Sequence, residues 1–251
     1  MAVVLGVDGA RGRWACAVWG GPGTAPLLRV ADDPRAVRDL AAHHGAVLVG
    51  LDLPLGLVDE GERWADAAAR RRLAALGAAG PADDRRGAAS RVFPTPARPV
   101  VTHGGTYAQA RALARGSGAP APSAQAFALF AHVRAWDEEL AHGARPAPAA
   151  AVVEVHPELS FAAMAGRVLA PKRSARGARQ RLAVLAGGHG LGCGAGALGD
   201  ALEVAPVAVA LDDALDAAAA AWSAHRAAGG TAERLPEDVQ RDGDREIAIW
   251  V

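Results

Sequence analysis

The chain has 251 residues, 51% of them hydrophobic, with 27 Lys+Arg against 27 Asp+Glu and hence a formal net charge of zero. That size buries a substantial core in one large domain, or one domain with an insertion, and the charge balance argues against a strongly basic nucleic-acid binder. Cys16 and Cys193 match no metal or redox spacing and read as buried free thiols, no apolar stretch has the length of a membrane span, and no signal segment precedes the first strand, so a cytoplasmic protein without a membrane partner is expected.

Residues 1–57 read as strand, strand, strand, helix, strand. The first is the apolar run from Ala2 that ends in Asp8-Gly9. The second covers residues 13–19 and closes at the turn Gly20-Gly21-Pro22-Gly23, and the third lies near residues 26–30. Asp33 caps a helix that begins at Pro34 and runs to about His43. The fourth strand, from Ala46, repeats the form of the first and ends in Asp52. Strands joined by short turns are expected to be antiparallel, and a strand reached through a helix to be parallel to one of them.

Residues 58–150 have a different texture. Helical runs around 62–76 and 124–141 are separated by loops rich in Pro, Gly, Arg and Ser at 77–87 and 115–122. The segment reads as an insertion or lid on a single domain that spans residues 1–251. The α/β pattern then resumes with a strand at 150–155 that contains Glu154. Helices follow at 160–165 and 175–186, then an apolar link at 204–210, a helix from Leu211 to about Ala228, and a final edge strand at 246–251.

In this order the acids form a constellation. Asp8, Asp52 and Glu154 sit at or near the C-terminal ends of strands, where sites gather in open α/β sheets. Asp213 and Asp216 are three apart at a helix start and share a face, while Asp212 points elsewhere as a candidate N-cap. Buried charges need a partner or a metal, and hard divalent ions such as Mg²⁺ take carboxylate oxygens. Converging acids of this kind suit metal-assisted attack of water on a phosphodiester. Each acid alone also has an ordinary structural reading, as a turn residue, a helix-dipole partner or a solvent-facing strand residue.

The motifs that carry a family resemblance are Gly6-Val7-Asp8-Gly9-Ala10, Asp52-Leu53-Pro54-Leu55-Gly56-Leu57, Val92-Phe93-Pro94-Thr95-Pro96-Ala97-Arg98, Glu154-Val155-His156-Pro157-Glu158-Leu159-Ser160-Phe161 and Asp212-Asp213-Ala214-Leu215-Asp216-Ala217. Together with the terminal Ala248-Ile249-Trp250 they resemble the domain-of-unknown-function 429 family, described as predicted RNase H-like nucleases. The resemblance implies an RNase H-like α/β fold: a mixed five-stranded sheet with helices on both faces. It also implies a site that binds Mg²⁺ or Mn²⁺, with Asp8, Asp52, Asp213 and Asp216 as metal ligands. Glu154, on the fifth strand, stands outside the usual ligand positions of that superfamily and is expected to assist catalysis in another way.

Arg98, Lys172 and Arg181 are candidates for contacts with substrate phosphates. Lys172 stands out because the chain is almost devoid of lysine while arginine is plentiful. His156 is a candidate proton shuttle. Trp14, Trp19, Trp136 and Trp222 read as core, and the sparse aromatics give little support to a surface that stacks single strands. The favoured function is metal-dependent hydrolysis of phosphodiester bonds in a nucleic acid or nucleotide substrate. A nucleotide-binding ATPase or kinase-like protein of the same superfold is the rival, with a homodimer supplying its missing second lobe. A binding module with a degenerate site is the third reading.

Overall fold

The amino-terminal hairpin sets the architecture. Strands β1 (Val4–Ala10) and β2 (Arg13–Trp19) pair antiparallel in full register, from Val4 opposite Trp19 to Ala10 opposite Arg13. The two-residue turn between them holds Arg11 at φ 49° and Gly12 at φ 83°, the left-handed pair that matches the twist of a tight hairpin. Strand β3 (Leu27–Ala31) adds antiparallel to β2. Helix α1 (Pro34–His43) starts as the sequence suggested, with the Asp33 carboxylate accepting the Ala36 N–H. It returns the chain to β4 (Leu48–Leu51), which is parallel to β1.

In this computed structural model, which describes residues 2–85, 87–116, 118–142 and 150–251, seven strands form one mixed sheet in the order β3-β2-β1-β4-β5-β7-β6. The sheet is thus wider than the expected five strands. Strand β5 (Ala151–Val155) is parallel to β4, so residues 58–150 are the crossover between two neighbouring parallel strands. They contain α2 (Trp64–Ala78), α3 (Ala82–Arg85), a 3₁₀ turn at Ala89–Arg91, α4 (Arg98–Thr102), α5 (Tyr107–Gly116), α6 (Ala124–Ala128) and α7 (Phe130–His142). The helical run expected at 124–141 breaks at Leu129, and the loops expected at 77–87 and 115–122 surrender two residues to α2, four to α3 and two to α5. Residues 86, 117 and 143–149 of those expectations lie outside the described residues.

After β5 come α8 (Pro157–Ala165), α9 (Ala175–Ala186), α10 (Gly194–Glu203), α11 (Leu211–Ala228), β6 (Arg234–Asp242) and β7 (Arg245–Trp250). Strand β7 is not the edge the sequence suggested, because it lies between β5 and β6. The edge is β6, a polar strand with Pro236 near its start, and both features suit an exposed margin.

Helices cover both faces. One face presents Leu5, Val7, Cys16, Val49 and Leu51 to a core shared with α1, α2, α4 and α7. The other presents Val4, Ala15, Ala17 and Trp19 to α8–α11. Trp14, Trp19, Trp136 and Trp222 are all buried in these cores. The alanine run of α11 lets that helix lie almost in contact with the sheet. A Cβ added at Gly6 would come within 2.0 Å of Ala217 O, and one at Gly50 within 2.7 Å of Ala220 O. Small residues on both surfaces therefore fix the depth and axial position of α11, and with it the place of its first turn. No helix among the described residues is long and apolar enough to cross a membrane.

Candidate functional site

Side chains alternate between the faces of a strand, so register decides which acids can meet. Gly6 and Gly50 both face α11. Two residues further on, Asp8 and Asp52 therefore project on that same face. The two strands are in matched register there, with Val7 opposite Leu51 and the Asp52 N–H donating to Val7 O at 2.9 Å. Asp8 and Asp52 are thus neighbours on adjacent strands, with their carboxyls close enough to act directly on each other. Such a contact needs a proton or a cation between the two groups. Burial, then Asp52 and Asp216, pushes the Asp8 carboxyl well above the usual carboxylate range. Burial also raises Asp52, opposed by His156, Lys172 and the neighbouring Asp8 carboxyl.

The first turns of α11 bring Asp213 and Asp216 to the same edge. Asp216 is buried and its Oδ2 accepts a 2.6 Å hydrogen bond from Lys172 Nζ, while its Oδ1 is buried without a hydrogen-bond partner among the described residues. Burial lifts Asp216 to about 7 against the pull of Lys172. Partial burial works against the Lys172 ammonium, but Asp216, Asp8 and Asp52 outweigh it and hold it protonated well above its ordinary range. Asp213 is raised by burial and by Asp212, and lowered less strongly by Lys172 and Arg11. All four acids and Lys172 line one cleft of about 710 Å³.

Glu154 lines that cleft too, yet it does not join the cluster. Its strand partner is Leu51, which faces away from α11, so Glu154 is one residue out of phase with Asp8 and Asp52. Its Oε2 accepts the Leu55 N–H at 2.7 Å and is paired with the fully buried Arg63. Arg63 in turn donates to Asp66 Oδ1 at 2.9 Å and Thr95 Oγ1 at 3.0 Å. Burial raises Glu154 to about 7 even with Arg63 pulling it down. Glu154 thus anchors the sheet to the crossover from the cleft wall, on the opposite face from Asp8 and Asp52.

Two expected phosphate ligands are also committed elsewhere. Arg98 bridges Asp137 at 2.9 Å and Asp242 at 2.5 Å, tying α4 and α7 to the end of β6, and it does not line the cleft. Arg181 is buried, bonds Glu158 and Ala170 O, and stacks on Phe161 at 5.2 Å. The cationic residues that do line the cleft are Arg11, Arg91, Lys172 and Arg173, and of these Arg91 is paired with Glu158 at 2.7 Å. Sequence reasoning passed over Arg11, Arg63, Asp66 and Arg91. A lone Arg in an arginine-rich chain carries no signal, but Phe93 and Thr95 of the quoted Phe-Pro-Thr-Pro block do line the cleft.

The oxygen donors present suit a hard divalent cation. Asp216 Oδ1 lacks a partner, and the Asp8–Asp52 contact lacks a second positive charge. Among the described residues no three His, Cys, Asp or Glu side chains already stand in coordinating geometry, and Lys172 holds the centre of the cluster. The residues fit such an ion in kind and charge.

A family model described as a protein of unknown function, DUF429, matches residues 6–241. Neither the curated proteins nor the solved structures offer a match.

Proposed function

The chain belongs to the DUF429 family, a family of unknown function, and from that premise and the chemistry of the cleft we propose that it is a metal-dependent phosphodiesterase of RNase H-like type, acting on nucleic acid or nucleotide. Five of its seven strands, β1–β5, make a mixed sheet flanked by helices, which agrees with the fold that the resemblance implies. The observation that carries the reading is the pairing of Asp8 with Asp52 beside an Asp216 oxygen that has no partner.

Asp8, Asp52, Asp213 and Asp216 would hold Mg²⁺ or Mn²⁺, which when bound supplies Lewis-acid stabilisation of phosphoryl oxygens and acidifies water. The chain's own groups do the rest. Strand register keeps Asp8 and Asp52 side by side, and the close seat of α11 fixes Asp216. Lys172 orients Asp216 and presents a permanent positive charge to a substrate phosphate. His156 lies near Asp52, and its Nδ1 has no hydrogen-bond partner, so it is placed to take or give a proton at the cleft wall.

The test is Mn²⁺-dependent cleavage of labelled single-stranded, duplex and junction DNA and RNA by the wild-type protein and by Asp8→Asn. The proposal expects cleavage of at least one substrate by wild type and its loss in a variant that keeps the wild-type circular dichroism. Equal cleavage by the variant, or none by wild type, counts against it.

A further inference from the structure

The acids fill only one side of the cleft. The crossover supplies other lining residues, among them the apolar Phe93, Leu129 and Ala128 and the polar Gln125 and His132. The His132 ring is set by an edge-on contact with Trp14 at 5.2 Å, and Trp14 is itself buried and braced edge-on by Trp136 at 5.7 Å. A half-exposed aromatic, a braced imidazole and an amide that both donates and accepts, all lining one cleft, are groups that suit one planar heterocycle. The whole cleft, at about 710 Å³, falls in the size range of small-molecule sites, roughly 300–1,000 Å³.

Its rim does not suit a duplex. A protein that binds duplex backbone neutralises several phosphates with Lys and Arg. Of the cations that line this cleft, Arg91 is paired with Glu158 and Lys172 sits among the acids, where it can meet only the one phosphate they face, which leaves Arg11 and Arg173 among the described residues for any further phosphates. The chain as a whole carries no net positive charge.

We propose that Phe93, His132 and Gln125 form a subsite for a single nucleobase, so that the substrate enters as one nucleotide unit, free or at an unpaired strand end, with its phosphate toward Asp8 and Asp52. This rests on the phosphodiesterase reading for the orientation of the phosphate. The subsite stands on its own for the recognition of the base.

Binding separates the two. Nucleoside 5′-monophosphates and ribose 5-phosphate are titrated by calorimetry in the presence of Mg²⁺, with wild type, Phe93→Ala, Phe93→Leu and His132→Ala. Loss of one base-stacking contact is expected to weaken nucleotide binding about tenfold. The nucleotides should therefore bind about tenfold more tightly than ribose 5-phosphate, and Phe93→Leu, which preserves apolar packing, should reduce that ratio as Phe93→Ala does while leaving ribose 5-phosphate unaffected. A closed dumbbell duplex without free ends should not compete. Equal affinity for nucleotide and ribose 5-phosphate, a ratio unchanged in all three variants, or full competition by the dumbbell would overturn the subsite. A nucleotide preference in a protein that cleaves nothing upholds the subsite and removes the hydrolase.

Discussion

Lys172 Nζ donates to Asp216 Oδ2 at 2.6 Å, while the other oxygen of the same carboxylate is buried and receives no hydrogen bond from the described residues. The chain's single lysine thus neutralises part of an acidic cluster and leaves an oxygen free to take a cation.

Replacing that lysine should have opposite effects on binding and turnover. Lys172→Met removes a positive charge that competes for Asp216, so Mn²⁺ should bind several-fold more tightly. Turnover should fall, because the substrate phosphate loses a point charge. Metal titration and steady-state kinetics on the same preparation check both. Weaker Mn²⁺ binding in the variant would show that Lys172 supports the site rather than competing with the ion.

The anchor role of Glu154 gives a stability prediction. Arg63→Ala leaves Glu154 and Asp66 buried without their counter-ion, and breaking such a pair costs about 3–5 kcal/mol. Glu154→Gln keeps an acceptor for the Leu55 N–H and should cost less, with Mn²⁺ affinity close to that of wild type. Urea denaturation and metal titration measure the two readouts. A large loss of metal affinity in Glu154→Gln at unchanged stability would return Glu154 to the metal site.

Stability without divalent ions should fall as pH rises. Burial lifts Asp216 and Glu154 to about 7 from ordinary values of 3.8 and 4.5, and moves Asp8 in the same direction. Between those ordinary values and the raised ones the folded state binds more protons than the unfolded chain. Stability is therefore greatest below the unfolded values and is lost as pH climbs through the folded ones. The melting temperature in EDTA should drop from about pH 5 to about pH 8, and Mn²⁺ should recover more of it at the higher pH. A melting temperature that rises with pH in EDTA would contradict the raised carboxyls.

The seat of α11 can be tested without touching an acid. Gly6→Ala places a methyl group within 2.0 Å of Ala217 O, so the helix must move. The expected cost is about 3 kcal/mol or more, together with weaker Mn²⁺ binding, because Asp213 and Asp216 move with the helix. Gly9→Ala, which meets nothing within 4 Å, serves as the control and should leave stability close to wild type. Thermal melts of the two variants decide the matter.

What was legible in the sequence was local. The apolar runs that end in Asp8 and Asp52, the Asp33-Pro34 helix start and the span of α11 are written in residues close together in the chain, and all appear in the fold. Strand β6 escaped because only Leu235 of its residues is buried and its polar residues do not alternate with apolar ones, and α10 because Gly194, Gly196 and Gly199 blur its helical signal. The setting of Glu154 was hidden for another reason. Its face depends on the register of β5 against β4, a long-range pairing across a crossover of almost a hundred residues that a one-residue slip would reverse. Arg63 gives no sign in the sequence that it will be buried, since its place is set by Glu154, Asp66 and Thr95 converging from three separate segments.

The most direct measurement is a calorimetric titration of Mn²⁺ into the wild-type protein, Asp8→Asn and Asp52→Asn at about pH 8, above the value of about 7 to which burial lifts Asp216. The account predicts saturable binding to wild type, weakened about tenfold or more in each Asn variant, since a lost charged ligand is worth at least about 1.4 kcal/mol. Wild type that binds no Mn²⁺, or variants that bind it as tightly as wild type, would contradict a cation site built on Asp8 and Asp52.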